Sequence, residues 1–140
     1  MTFNPDESLK LETMERFPLE LLEKRIQEIE EFIQKGDGQQ AAEKAYSVVE
    51  SCIKILAEKE NLEEYYKAQK LKRWLTDFLW KAARKLKDRV DKSIWKIWDE
   101  AWNLHVKGFH ERYWDLEDIK EKVPIAKEML EITKKHLGIT

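Results

Sequence analysis

Apolar residues recur at every third or fourth position along most of this chain, and the alternation of two that marks a half-buried strand is nearly absent. Only amphipathic helices can bury a pattern of that period, so the predicted fold class is all-α. Punctuation is sparse, with four Gly and three Pro in 140 residues. No repeat, linker or low-complexity tract divides the chain. The expectation is one domain over residues 1–140, with residues 1–16 loosely ordered, built as a compact up-down bundle of four core helices plus a fifth C-terminal helix.

Composition narrows the setting. With 42% hydrophobic residues, a chain of this length buries roughly 68–70% of its unfolded surface and needs no disulfide or structural metal. The single Cys52 excludes an internal disulfide and fits a reducing compartment. Apolar runs such as Phe78-Leu79-Trp80 are far shorter than the roughly 18 residues a bilayer requires, and no signal-peptide core precedes Arg16. A soluble, cytoplasmic protein without membrane contact is expected. Charged residues reach 39% with the excess in Lys and Glu, a bias that points to a thermophilic source.

Pro18 suits the first turn of a helix, where its missing N–H has no partner to lose, and the stripe Leu22, Ile26, Ile29, Ile33 follows it. Gly36-Asp37-Gly38 ends that helix. A second helix is predicted from about Gln39 to Lys59, burying Ala41, Ala45, Val48, Val49, Cys52 and Leu56, with Cys52 as an inert core thiol. Asn61 is the expected cap of a third, running unbroken to about Arg89 with Leu71, Trp74, Leu75, Phe78, Leu79, Ala82 and Leu86 inward. The fourth, from about Asp91 to Lys107, has an apolar arc of about 200° at 100° per residue, from Ile94 and Trp95 through Trp98 and Trp102 to Val106. A face that wide marks the central helix and needs several neighbours or a second subunit to cover it. Gly108 closes or kinks it. A fifth segment from about Leu116 to His136 carries Ile119, Val123, Ala126, Met129, Leu130 and Thr133, broken at Pro124.

Two strings carry a resemblance. Gly36-Asp37-Gly38-Gln39-Gln40-Ala41-Ala42-Glu43-Lys44-Ala45-Tyr46, leading into Glu50-Ser51-Cys52-Ile53-Lys54-Ile55-Leu56-Ala57, is similar to one signature of the archaeal PaREP-type family. Ala101-Trp102-Asn103-Leu104-His105-Val106-Lys107-Gly108-Phe109-His110-Glu111 is similar to its second. That family in turn resembles the HEPN superfamily, helical bundles that dimerise and accompany nucleotidyltransferases or act as ribonucleases. The resemblance implies a HEPN-like bundle and a homodimer. Ribonucleases of that superfamily carry an Arg followed by four to six residues and a His. No Arg and His here have that spacing, so the resemblance does not bring nuclease activity with it.

His105 lies at the middle of the apolar arc of the fourth helix, where a hydrogen-bonded core histidine is the ordinary reading and a catalyst the sharper one. His110 and Glu111 follow Gly108, with Arg112 beside them. On a continuous α-helix His105 and His110 stand about 140° apart, five residues rather than the four that two helical metal ligands use. They could share a cation only if the chain bends at Gly108, so no metal and no cofactor is expected. The candidate catalytic residues are His105, His110, Glu111 and Arg112, read first as a structural or pocket-lining polar cluster.

Charge is segregated. Met1 to Tyr66 carries 8 basic and 16 acidic residues, whereas Lys67 to Lys92 carries 10 and 3. On a continuous third helix Arg73, Trp80, Arg84 and Lys87 fall within about 60° of one another, opposite the apolar stripe, which makes Trp80 an exposed aromatic among cations. Such a face suits single-stranded RNA, an acidic protein partner, the Glu-rich first helix met within the fold or across a dimer, or plain solvation. The leading functional expectation is a non-catalytic interaction module associated with nucleotides or RNA. The rival is a diverged metal-independent ribonuclease using His105 or His110 for proton transfer and Arg112 as phosphate clamp.

Overall fold

The computed structural model describes residues 5–139, with side chains described from residue 19. Seven α-helices and one π-helix follow in order: α1 (Pro5–Gln34), α2 (Gly38–Lys59), α3 (Glu63–Leu71), α4 (Thr76–Arg89), α5 (Ser93–Asn103), the π-helix (Leu104–His110), α6 (Leu116–Lys122) and α7 (Ile125–His136). No strand occurs among the described residues. The all-α expectation holds, and no helix is long and apolar enough to cross a membrane among the described residues.

The first helix starts earlier than predicted. Pro5, not Pro18, takes the first position, the same first-turn preference being met by an earlier proline. Residues 5–16 are therefore helical, and only 1–4 of the expected loose lead lie outside the described residues. The stripe itself stands: Leu22, Ile29 and Ile33 are buried and Ile26 packs against the core.

The centre of the bundle is α2, not the tryptophan-rich fourth segment. α2 packs against every other helix, and all six residues predicted for its inner face are buried. Small side chains explain this, since Ala41, Ala42 and Ala45 let neighbours approach closely. Asp37 caps it by accepting from the Gln40 N–H at 3.1 Å. On the α7 side, Ala126, Met129, Leu130 and Thr133 are buried as predicted. The Thr133 hydroxyl donates a hydrogen bond to the Met129 carbonyl at 2.8 Å, so this buried hydroxyl is not left unpaired.

The predicted long third helix is two helices. Lys72 adopts the left-handed conformation (φ 61°) and Leu75 an extended one, so the chain turns between α3 and α4. A non-glycine residue there costs about 1–2 kcal/mol. The turn offsets this by tucking Trp74 against the core and by bringing Lys85 to Glu64, whose two carboxylate oxygens lie 2.8 and 3.0 Å from Nζ. Glu64 is only 3% exposed, and a buried carboxylate without such a partner is strongly destabilising. Leu71, predicted inward, is exposed. Asn61 is not the cap of α3; it takes φ 53° behind α2, and Leu62 is the capping residue. Pro124 separates α6 from α7, as its missing donor requires.

Candidate functional site: an imidazole pair at the end of an aromatic stripe

Five-residue spacing separates His105 from His110, and the local backbone is wound to suit it. From Leu104 the helix widens, and the Glu111 N–H bonds the Val106 carbonyl five residues back at 2.7 Å. Residues five apart thereby share a face, as they cannot on an α-helix. His110 Nε2 lies 3.2 Å from His105 Nε2. Gly108 permits this by close approach to α2: a Cβ there would stand 2.8 Å from that of Ala42. The Gln39 side-chain amide donates to the Phe109 carbonyl at 3.1 Å, taking up an acceptor of the widened turn.

His105 is not a sealed core residue. Its side chain is 21% exposed, and Nδ1 sits 2.8 Å from the Glu43 carboxylate on α2. A carboxylate only accepts, so His105 Nδ1 carries the proton, and in the neutral ring Nε2 is then the lone-pair nitrogen that faces His110. The His105 ring stacks on Tyr46 with centroids 4.2 Å apart and planes 20° from parallel. Tyr46 in turn donates its hydroxyl to Glu50 at 2.8 Å. Burial, and then the Glu50 charge, drive the Tyr46 phenol well above its ordinary pKa. The phenol is fixed as a donor and never competes with His105 for Glu43.

The imidazoles end a longer run of rings. Trp95, Trp80, Trp98, Trp102, Tyr46, His105 and His110 touch in succession, with neighbouring centroids within 6.2 Å. Trp98 is fully buried, whereas Trp80, Trp95, Trp102 and His105 are half-buried and His110 is exposed. At the far end the Arg84 guanidinium lies 5.7 Å from the Trp95 ring centroid, a cation on an aromatic face.

The expected sites are therefore redistributed. Glu111 and Arg112 are exposed beyond the last π turn and make no side-chain hydrogen bond or ion pair among the described residues, so they do not join the imidazoles. Arg73 lies in the turn between α3 and α4, off the helix that carries the other three. Trp80 is no exposed platform: it packs edge-on against three tryptophans. Lys87 lies 3.2 Å from Asp88. The acidic first helix meets α2 and α7 rather than the basic stretch, through Glu28 with Lys44 and Glu23 with Lys134. Glu43, Tyr46 and Glu50 were not anticipated, although their i, i+3, i+7 spacing marks a polar stripe beside the apolar one on α2. No group of three or more metal-ligating side chains occurs among the described residues.

A sequence model described as the archaeal PaREP1/PaREP8 family matches residues 17–130. The crystal structure of a Sulfolobus solfataricus protein is similar, with 34% identity, TM-score 0.74, and coverage of 83% of this chain and 95% of that one. The solution structure of the same structural-genomics target has 34% identity and TM-score 0.70, covering 83% of this chain and 90% of the other. No curated protein matches the sequence.

Proposed function

The chain belongs to the archaeal PaREP1/PaREP8 family, and from that premise we propose that it is a non-catalytic helical module that holds RNA or nucleotides along the aromatic stripe of α5 and the π-helix. The supporting observation is the run of half-buried rings Trp95, Trp80, Trp102 and His105, with Arg84 at one end and the exposed His110 at the other. Stacking on such rings is worth about 1–3 kcal/mol per base and accepts any base, while flanking cations meet the backbone. Titration of short single-stranded RNA at low and high salt tests it. Expected is binding that weakens with salt, with a log-log slope of roughly -0.7 per neutralised phosphate, and Trp102→Ala should lose about 1–3 kcal/mol. A homodimer covering the same stripe gives the opposite outcome: sizing shifts with Trp102→Ala and RNA retention does not.

The ribonuclease reading keeps one observation in its favour, the Glu43 carboxylate that orients His105 with its Nε2 toward His110 at the solvent edge, where an imidazole pair can pass a proton. RNA cleavage in the presence of a chelator, lost in His105→Ala, would favour it over simple binding.

A further inference from the structure

Two imidazole nitrogens 3.2 Å apart have the separation of a chelating pair as well as that of a hydrogen bond. A tetrahedral zinc ion with Zn–N bonds of about 2.0–2.1 Å holds two ligand nitrogens roughly 3.3–3.4 Å apart. The two ring centroids are only 4.4 Å apart and the planes stand at 85°. Rings that close cannot face each other nitrogen to nitrogen along a common axis, so their in-plane directions are inclined and can meet at a third point. We propose that His105 Nε2 and His110 Nε2 bind one zinc-class divalent cation per chain, leaving its remaining positions to water or another exchangeable ligand.

The surroundings supply what such a site needs. Imidazole nitrogen suits zinc, copper and nickel. Glu43 accepts a hydrogen bond from His105 Nδ1–H at 2.8 Å, the carboxylate–histidine arrangement that orients a metal-ligating ring and raises its basicity. Tyr46 stacked on the other side keeps that ring from turning. His110 is exposed, so a cation can arrive from solvent. On binding, His110 moves its proton from Nε2 to Nδ1, and the bond to His105 is replaced by two bonds to the cation. The spacing objection drawn from an α-helix is removed by the widened turn, and the inference does not depend on RNA binding.

Titration of the RNA-free full chain with Zn2+, beside visible absorption of the Co2+ form, tests this. One ion per chain is expected, with ligand-field bands of nitrogen coordination. Glu43→Ala should weaken binding by about 10–100-fold, the usual loss for an outer partner of a metal ligand, and His110→Ala by more. His110 is exposed, so that variant keeps the fold, which far-UV circular dichroism checks. His136→Ala should leave binding unchanged, because His136 pairs with Glu60 instead. Equal Zn2+ affinity in wild type and His110→Ala would overturn the proposal, as would one ion for every two chains, which requires ligands from a second copy.

Discussion

The two sides of α2 are built on opposite terms. On the α7 side, where Cys52 meets Thr133, Val49, Cys52 and Leu56 share one fully buried face. Toward α5 and the π-helix it presents Glu43, half-buried and bonded to His105, and Tyr46, buried against His105, Trp98 and Trp102 and bonded to the half-buried Glu50. The first side gains by excluding water and tolerates any shape-compatible apolar residue. The second depends on particular atoms at particular distances. A helix of this kind separates stability from recognition by face rather than by domain, and each face responds differently to mutation.

The largest effects should fall on the sealed side. Leu56→Ala or Met129→Ala is expected to cost about 2–5 kcal/mol, read as a lower midpoint in denaturant with unchanged slope. Trp98→Ala, a fully buried ring within the aromatic stripe of the other side, should cost a comparable amount, about 3–5 kcal/mol, although its indole N–H has no partner among the described residues. Part of the cost of burying that donor is recovered when it is removed.

Gly108→Ala joins the two sides. The new methyl meets Ala42, so overpacking should cost about 1–3 kcal/mol and push the π-helix off α2. If the open side depends on that approach, the His105 signals should shift toward those of a free imidazole while the α7 seam keeps its amide protection. A thermally silent variant with unshifted His105 would erase the distinction between the sides.

Cys52 sharpens it from within. Burial pushes its thiol up to about 12, with the Thr133 contact pulling only slightly the other way. A folded-state value above the ordinary one means that the protonated thiol favours the native state, and that this stability is lost as pH rises from about 9 toward 12. Native protein should resist a thiol reagent at pH 8 and react after denaturation, and alkaline destabilisation should lessen in Cys52→Ala. The smallest effects are expected at exposed ion pairs: Lys81→Ala, which releases Asp77, should change stability by about 0–1 kcal/mol at most.

The sealed side was legible in the sequence because hydrophobic burial follows periodicity. Ala41, Val48, Cys52 and Leu56 on α2, Ile119 before Pro124, and Met129 and Thr133 beyond it all sit where their spacing places them. The open side was legible only in its residue types. His105 and His110 could be singled out, but their meeting depends on a π turn, and nothing in Leu104–His110 announces five-residue bonding except a glycine small enough to touch Ala42. Glu43 lies 62 positions from His105, and periodicity says nothing about contacts of that reach. The turn at Lys72 was invisible for a related reason: it has neither glycine nor proline, and is held by the Lys85–Glu64 pair formed only after folding. Trp80 was misplaced with it, since treating residues 61–89 as one helix set Arg73 and Trp80 on a common outer face.

Nitrogen-15 spectra of the histidine rings test the central claim most directly, that α2 and the π-helix together hold His105 as an oriented imidazole. The account predicts a His105 ring protonated at Nδ1, with that proton slow to exchange and lost from the spectrum's protected region in Glu43→Ala and Gly108→Ala. A His105 ring protonated at Nε2, or a rapidly exchanging mixture of both tautomers in the native protein, would contradict it.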